Sequence, residues 1–170
     1  MSKILVTGGT GFIGSHTVVE LHNAGYEVVI VDNFSNSNPK ILNQLEQITG
    51  KMPEFHELDL CDENAVKAFV ESQPDITGVI HFAAYKAVGE SVQQPLKYYR
   101  NNFYSLINVI NAFNSKVDLV FSSSCTVYGQ PDELPVTEAA PVKKAESPYG
   151  NTKQIAEEIS PMLTEYSMYV

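Results

Sequence analysis

The sequence predicts a doubly wound α/β fold, a parallel sheet with helices on both faces, and three observations carry that prediction. Short apolar runs alternate with segments of helical spacing along the chain. The second run, Glu27 to Asp32, has an unbroken apolar centre, as in a strand buried on both faces. The first turn, Thr7-Gly8-Gly9-Thr10-Gly11-Phe12-Ile13-Gly14, is glycine-rich and lies directly between a strand and a helix, the arrangement of Rossmann-type folds.

The elements follow in order. Lys3 to Thr7 is the first strand. Phe12 to Ala24 is a helix through the spacing of Ile13, Val18 and Leu21, and Gly25 stops it as a C′ glycine. After the strand Glu27 to Asp32, Pro39 to Ile48 is a helix with proline near its start, and Phe55 to Leu58 is a weak third strand. Asp62 caps a helix running to about Ser72, and Gly78 to Phe82 is the fourth strand. Pro95 to Ser115 is a long helix and Asp118 to Ser122 the fifth strand. A loop rich in Pro, Glu and Ala leads to Pro148. Tyr149 to Glu165 is the last helix, with Pro161 as a kink or break. Met168-Tyr169-Val170 reads as the opening of another strand. The expectation is therefore one domain over residues 1–170, incomplete, stopping before the last strands and a substrate-binding part.

Composition narrows the function. The 170 residues are 44% hydrophobic and 18% charged, ordinary globular values that argue against a disordered chain. A formal charge of −9 with scattered Lys and Arg argues against nucleic acid and against an anionic membrane surface. The apolar run after Met1-Ser2-Lys3 is too short for a signal peptide. Cys61 and Cys125 lie far apart with no metal-type spacing, so free thiols, no metal and a cytoplasmic location are expected.

Gly8, Gly11 and Gly14 form a GxxGxxG, and Gly9, Gly11 and Gly14 also satisfy GxGxxG. Such a turn lets the backbone approach a pyrophosphate closely while the orphan N–H groups of the helix start face the anion. Asp32 ends the second strand eighteen residues after Gly14, where a carboxylate binds ribose hydroxyls. It repels a 2′-phosphate, which favours NAD over NADP. Asp59-Leu60 and Phe82-Ala83-Ala84 follow the third and fourth strands at the ligand edge of such a sheet. Asp59 reads equally well as an acid of the Asp62 helix start.

Tyr149 and Lys153 stand four residues apart, one turn along one helix face. A free phenol titrates near about 10, and a neighbouring cation favours its phenolate, which could then take a proton from a hydroxyl. Ser122-Ser123-Ser124 sits at the end of the fifth strand, where a hydroxyl could bond both the reacting oxygen and the phenol.

The segments TGGTGFIGSH, DNFSNS, DLCD, HFAAYKAVGES, YYRNN, FSSSCTVYG and SPYGNTK, in this order and spacing, resemble the UDP-glucose 4-epimerase family of extended short-chain dehydrogenases/reductases. The resemblance runs over essentially the whole chain. It implies an isomerase that interconverts UDP-glucose and UDP-galactose by transient NAD-dependent oxidation at sugar C4, and a homodimer. It implies NAD contacts from Phe12, Ile13, Asp32, Asn33, Asn36, Ser37, Asp59, Leu60, Phe82, Ala83, Ala84, Lys86 and Asn101. Ser124, Tyr149 and Lys153 would form the catalytic set, with Lys153 also on the nicotinamide ribose. Read without the resemblance, Lys86 is a solvated loop lysine and Asn101 a helix-interior polar group.

The chain departs from the family pattern at Ala84-Tyr85, usually Gly-Leu, and at Cys125, usually Ala. Cys125 is expected to be a small packed residue. The related 4,6-dehydratases carry Asp-Glu, and the decarboxylases a Glu, where this chain has Cys125-Thr126. Those enzymes, and an NAD-binding module without catalysis, are the alternative readings. For 170 residues without the substrate part, little or no activity is expected.

Overall fold

The computed structural model describes residues 2–114, 117–162 and 168–169, the last few as backbone only. Six strands form one all-parallel sheet: β1 (Lys3–Thr7), β2 (Glu27–Asp32), β3 (Glu54–Glu57), β4 (Ile76–His81), β5 (Asp118–Phe121) and β6 (Met168–Tyr169). Their spatial order is β3-β2-β1-β4-β5-β6, so the winding reverses between β1 and β4. Such a switch point opens a crevice beyond the strand ends. Register brings those ends level: Thr7 lies beside both Val31 and His81, and His81 beside Phe121.

Alternate residues of each strand face opposite layers. Val6 and Ile30 pack against Val18 of α1 (Phe12–Asn23) and Leu45 of α2 (Lys40–Thr49). Leu5, Val29, Val31, Val79, Leu119 and Phe121 face the other layer, built from α3 (Glu63–Ser72), α5 (Pro95–Phe113) and α6 (Pro148–Met162). The short α4 (Val88–Gln93) precedes α5. Each fully buried aliphatic side chain contributes roughly 1.5–3 kcal/mol, which is why runs apolar on both faces become central strands.

Local signals set the boundaries. α1 ends as a Schellman motif: Gly25 is left-handed at φ 84°, its N–H donates to His22 O, and Tyr26 N–H donates to Leu21 O. Asp62 caps α3 by accepting from Ala65 N at 3.0 Å. Pro148 opens α6 and the Ser147 hydroxyl accepts from Gly150 N at 3.1 Å.

Three expectations need correcting. α4 is absent from the sequence reading, because six residues give no periodicity to read. β4 begins at Ile76, with Gly78 inside it, since a Cβ at Gly78 would press on Ile4 Cδ1 at 3.1 Å. Pro161 does not break α6, which continues through it to Met162; it occupies the last described turn. Ser115, residues 163–165 and Val170 lie outside the described residues, while Met168 and Tyr169 pair in parallel with Leu119 and Val120.

Candidate functional site

A crevice of about 520 Å³ opens at the carboxyl ends of the strands. Every residue expected to bind NAD or to take part in catalysis lines it: Gly8, Gly11, Phe12, Ile13 and Gly14; Asp32, Asn33, Asn36 and Ser37; Asp59 and Leu60; Phe82, Ala83, Ala84 and Lys86; Asn101; Ser124, Tyr149 and Lys153.

The glycine turn is built for close approach. Gly8 is left-handed at φ 68°, and a Cβ there would meet Ala83 N at 2.8 Å. A Cβ at Gly14 would lie 2.3 Å from Gly8 O. Gly11 stands at the N-cap of α1 without a side-chain cap, so the helix start carries orphan N–H groups at the crevice. Phe12 and Ile13 are left 76% and 58% exposed there, apolar surface that a ligand would cover.

Asp32 is held in place by its neighbours. Its Oδ1 accepts from Phe34 N at 2.9 Å and from Ser37 Oγ at 3.3 Å, and its Oδ2 accepts from Thr10 N at 3.2 Å. Phe34 takes a positive φ of 54° to make this turn. Asp59 turns the chain after β3, its Oδ1 accepting from Cys61 N at 2.9 Å. The α3 cap is Asp62, so the structure separates the two acids.

Asn102 ties the far side together. Its amide accepts from Tyr85 N at 2.9 Å and donates to Tyr85 O and to Thr152 Oγ1, both at 3.1 Å. The loop after β4 is thereby fastened to α6. Asn101 donates to Asn102 Oδ1 at 3.1 Å, a polar contact within the helix, and still lines the crevice.

Lys153 is buried. Its ammonium donates to Ser122 O at 2.7 Å and stands 4.5 Å from the Phe121 ring centroid. Burial pushes its pKa down to about 8, partly opposed by the Glu157 carboxylate. Ser124 Oγ accepts from Thr126 N at 3.3 Å and Thr126 Oγ1 at 3.0 Å, which orients the hydroxyl at the start of a 3₁₀ turn, Cys125–Tyr128. Behind them, His81 is enclosed, shares a 2.9 Å hydrogen bond with Thr7 Oγ1 and stacks on Phe121. Burial, and then the Lys153 charge, push its pKa down to about 3. His81 is neutral at ordinary pH, so Lys153 is the cation of this corner.

Sequence reasoning missed several lining residues, among them Ser35, Tyr85 and Ser105. Only the Asn33 side chain, accepting from Ser35 N at 3.0 Å, gives a local signal for one of them. Cys125 is exposed rather than packed: it begins the 3₁₀ turn on its outer side, so the extra sulfur needs no space in the core. A second cavity of about 300 Å³ lies at the opposite strand edge, among Lys3, Glu27 and Glu54, away from all these groups. Among the described residues no helix is long and apolar enough to cross a membrane, and no group of three or more His, Cys, Asp or Glu could hold a metal.

Comparison with known proteins agrees with this fold. The chain is 52% identical over 159 residues to UDP-glucose 4-epimerase of Bacillus subtilis (strain 168), a match covering 92% of this chain and 46% of that protein. It is similar to the crystal structure of UDP-glucose 4-epimerase from Bifidobacterium longum in complex with NAD+ and UDP, with TM-score 0.91 and 45% identity, covering 95% of this chain and 49% of that one. The enzyme from Stenotrophomonas maltophila, solved with NAD and formylated UDP-arabinopyranose, matches with TM-score 0.89 and 42% identity over 96% of this chain and 48% of that one. The chain thus spans about half the length of the relatives it matches. The NAD dependent epimerase/dehydratase family matches residues 4–166, and the chain belongs to that family.

Proposed function

We propose that residues 1–170 form the NAD-binding domain of a UDP-hexose 4-epimerase, which interconverts UDP-glucose and UDP-galactose. One observation carries this reading: a single crevice gathers the glycine cradle, Asp32, Ser124, Tyr149 and Lys153. The cradle fits a dinucleotide, because glycine at 8 and 14 lets the turn pack tightly against the backbone at Ala83 and against α1, which leaves the N–H groups of the helix start open to a pyrophosphate. The α1 N-terminus would hold the phosphates, Asp32 would accept from ribose hydroxyls and repel a 2′-phosphate, and Asp59, Leu60, Phe82, Ala83, Ala84, Lys86 and Asn101 would border the rest. Phe12, Ile13, Asn33, Asn36 and Ser37 complete the border.

Bound in this crevice, NAD would supply the reversible hydride chemistry needed for a transient oxidation at sugar C4. Tyr149 removes the 4-hydroxyl proton, with Ser124 bonding the same oxygen. Lys153, charged and dry, holds positive potential beside the phenol, where it stabilises developing phenolate charge. Thr126 fixes the direction of the Ser124 hydroxyl. A cytoplasmic location and a homodimer belong to the same reading. Apolar side chains exposed along α4 and α5, such as Val92 and Leu96, support the dimer.

Fluorescence titration of the chain with NADH and NADPH is the test. NADH is expected to bind at least tenfold tighter than NADPH; equal affinities, or no binding, would sink the reading. Asp32→Asn should weaken NADH about tenfold, since hydrogen bonds to a charged group are worth roughly 1.5–3 kcal/mol, and should narrow the preference. Because the relatives are about twice as long, the 170 residues alone are expected to convert little or no UDP-galactose in a coupled assay. Turnover at the rate of a full-length relative would refute that.

A further inference from the structure

The two clamps on the exit of β5 involve one residue that no role so far accounts for. Tyr149, Lys153 and Glu157 recur every four residues on α6, so they share one helix face. Successive positions of that face grip successive residues of the strand exit. Lys153 Nζ donates to Ser122 O at 2.7 Å, and the Ser123 hydroxyl donates to the Glu157 carboxylate. The next residue is Ser124. Its hydroxyl direction, set by Thr126, therefore depends on a backbone that Glu157 anchors one residue earlier.

The same carboxylate has an electrostatic task. A buried ammonium is costly unless charge or dipoles compensate it. Around Lys153 stand the Phe121 ring and Ser122 O from β5, His81 from β4, and Tyr149 and Glu157 from α6. His81 is held neutral by burial, so among these groups the compensating negative charge is Glu157.

We propose that Glu157 is a positioning residue for the Tyr149–Lys153 pair: through Ser123 it fixes the backbone that presents Ser124, and its charge keeps the buried Lys153 ammonium protonated. The inference rests on Tyr149 and Lys153 being the catalytic pair, as argued above.

The test follows the Lys153 side chain directly in the 170-residue chain carrying ¹³C-labelled lysine, with the signal assigned through Lys153→Met. The Lys153 midpoint is expected near about 8. In Glu157→Gln it should fall by about one pH unit, the lower end of what an adjacent opposite charge supplies. Glu157→Asp should restore most of it. Ser123→Ala should leave the midpoint in place but, like Glu157→Gln, speed hydrogen exchange at the Thr126 amide several-fold. An unshifted midpoint in Glu157→Gln, or Thr126 exchange unchanged in Ser123→Ala, overturns the proposal. If the Gln variant does not fold, the smaller drop expected for Glu157→Asp decides in its place, and no drop overturns it. NADH titrations on the same samples separate the two ideas: a wild-type chain that binds no NADH but shows the Lys153 shift defeats the functional reading and leaves the Glu157 device standing.

Discussion

Gly14→Ala is expected to destabilise the chain by about 3 kcal/mol, the upper end of overpacking costs, and to abolish NADH binding. The new methyl would stand 2.3 Å from Gly8 O and 2.8 Å from Gly9 Cα, which are backbone atoms and not flexible side-chain ends. Relief requires α1 to move away from the turn, and that movement dismantles the cradle. Gly89→Ala is the matched control: nothing lies within 4 Å of its Cβ, and in the helix α4 alanine should be neutral or gain roughly 0.5–1 kcal/mol. Urea unfolding of the two variants decides the matter. A Gly14→Ala stability close to that of Gly89→Ala would show that the turn relaxes freely.

The second large effect is acid lability centred on His81. Its folded pKa, pushed down to about 3 by burial and then by Lys153, lies below the value near about 6.5 of an unfolded histidine. Between those values the unfolded chain binds a proton that the folded chain refuses, so stability falls as pH drops through the window and is fully present above it. The slope from this group is about 1.4 kcal/mol per pH unit, and the whole effect is on the order of 5 kcal/mol. His81→Leu should be less stable at neutral pH, because the Thr7 hydroxyl loses its 2.9 Å partner. Its stability should nevertheless decline less steeply between pH 6 and 4, a range chosen inside that window. Denaturant midpoints measured across those pH values test this, and equal slopes for the two proteins would refute it.

Both effects concern groups that the sequence displays unequally. The glycine turn is legible because spacing alone encodes it: three glycines at intervals of three, between an apolar run and a helix, leave few backbone solutions. Asp32 is legible from its place at a strand end, and Tyr149 with Lys153 from helical spacing. His81 looks like an ordinary strand residue. Its enclosure arises only when β1, β4 and β5 assemble around it and bring Thr7 and Phe121 to its ring. The Asn102 clamp is hidden for the same reason, since its partners Tyr85 and Thr152 lie in separate segments. Cys125 reads as a packed residue because it is small, whereas at the start of the 3₁₀ turn it is exposed. Properties carried by local pattern are thus readable, and those created by long-range closure are not.

The central position of β1 has a consequence for how the chain is made. Of the six described strands β1 is synthesised first, and its partner on one side, β2, arrives some twenty residues later; its partner on the other, β4, begins only at Ile76. During that interval one edge of an apolar strand stands bare, a template for pairing with other nascent chains. The glycine turn and Asp32 are made well before Ser124, Tyr149 and Lys153. The two sides of the crevice are therefore made in sequence, and the contacts behind it, such as Thr7 to His81, are non-local pairings that place this sheet among slower-folding topologies.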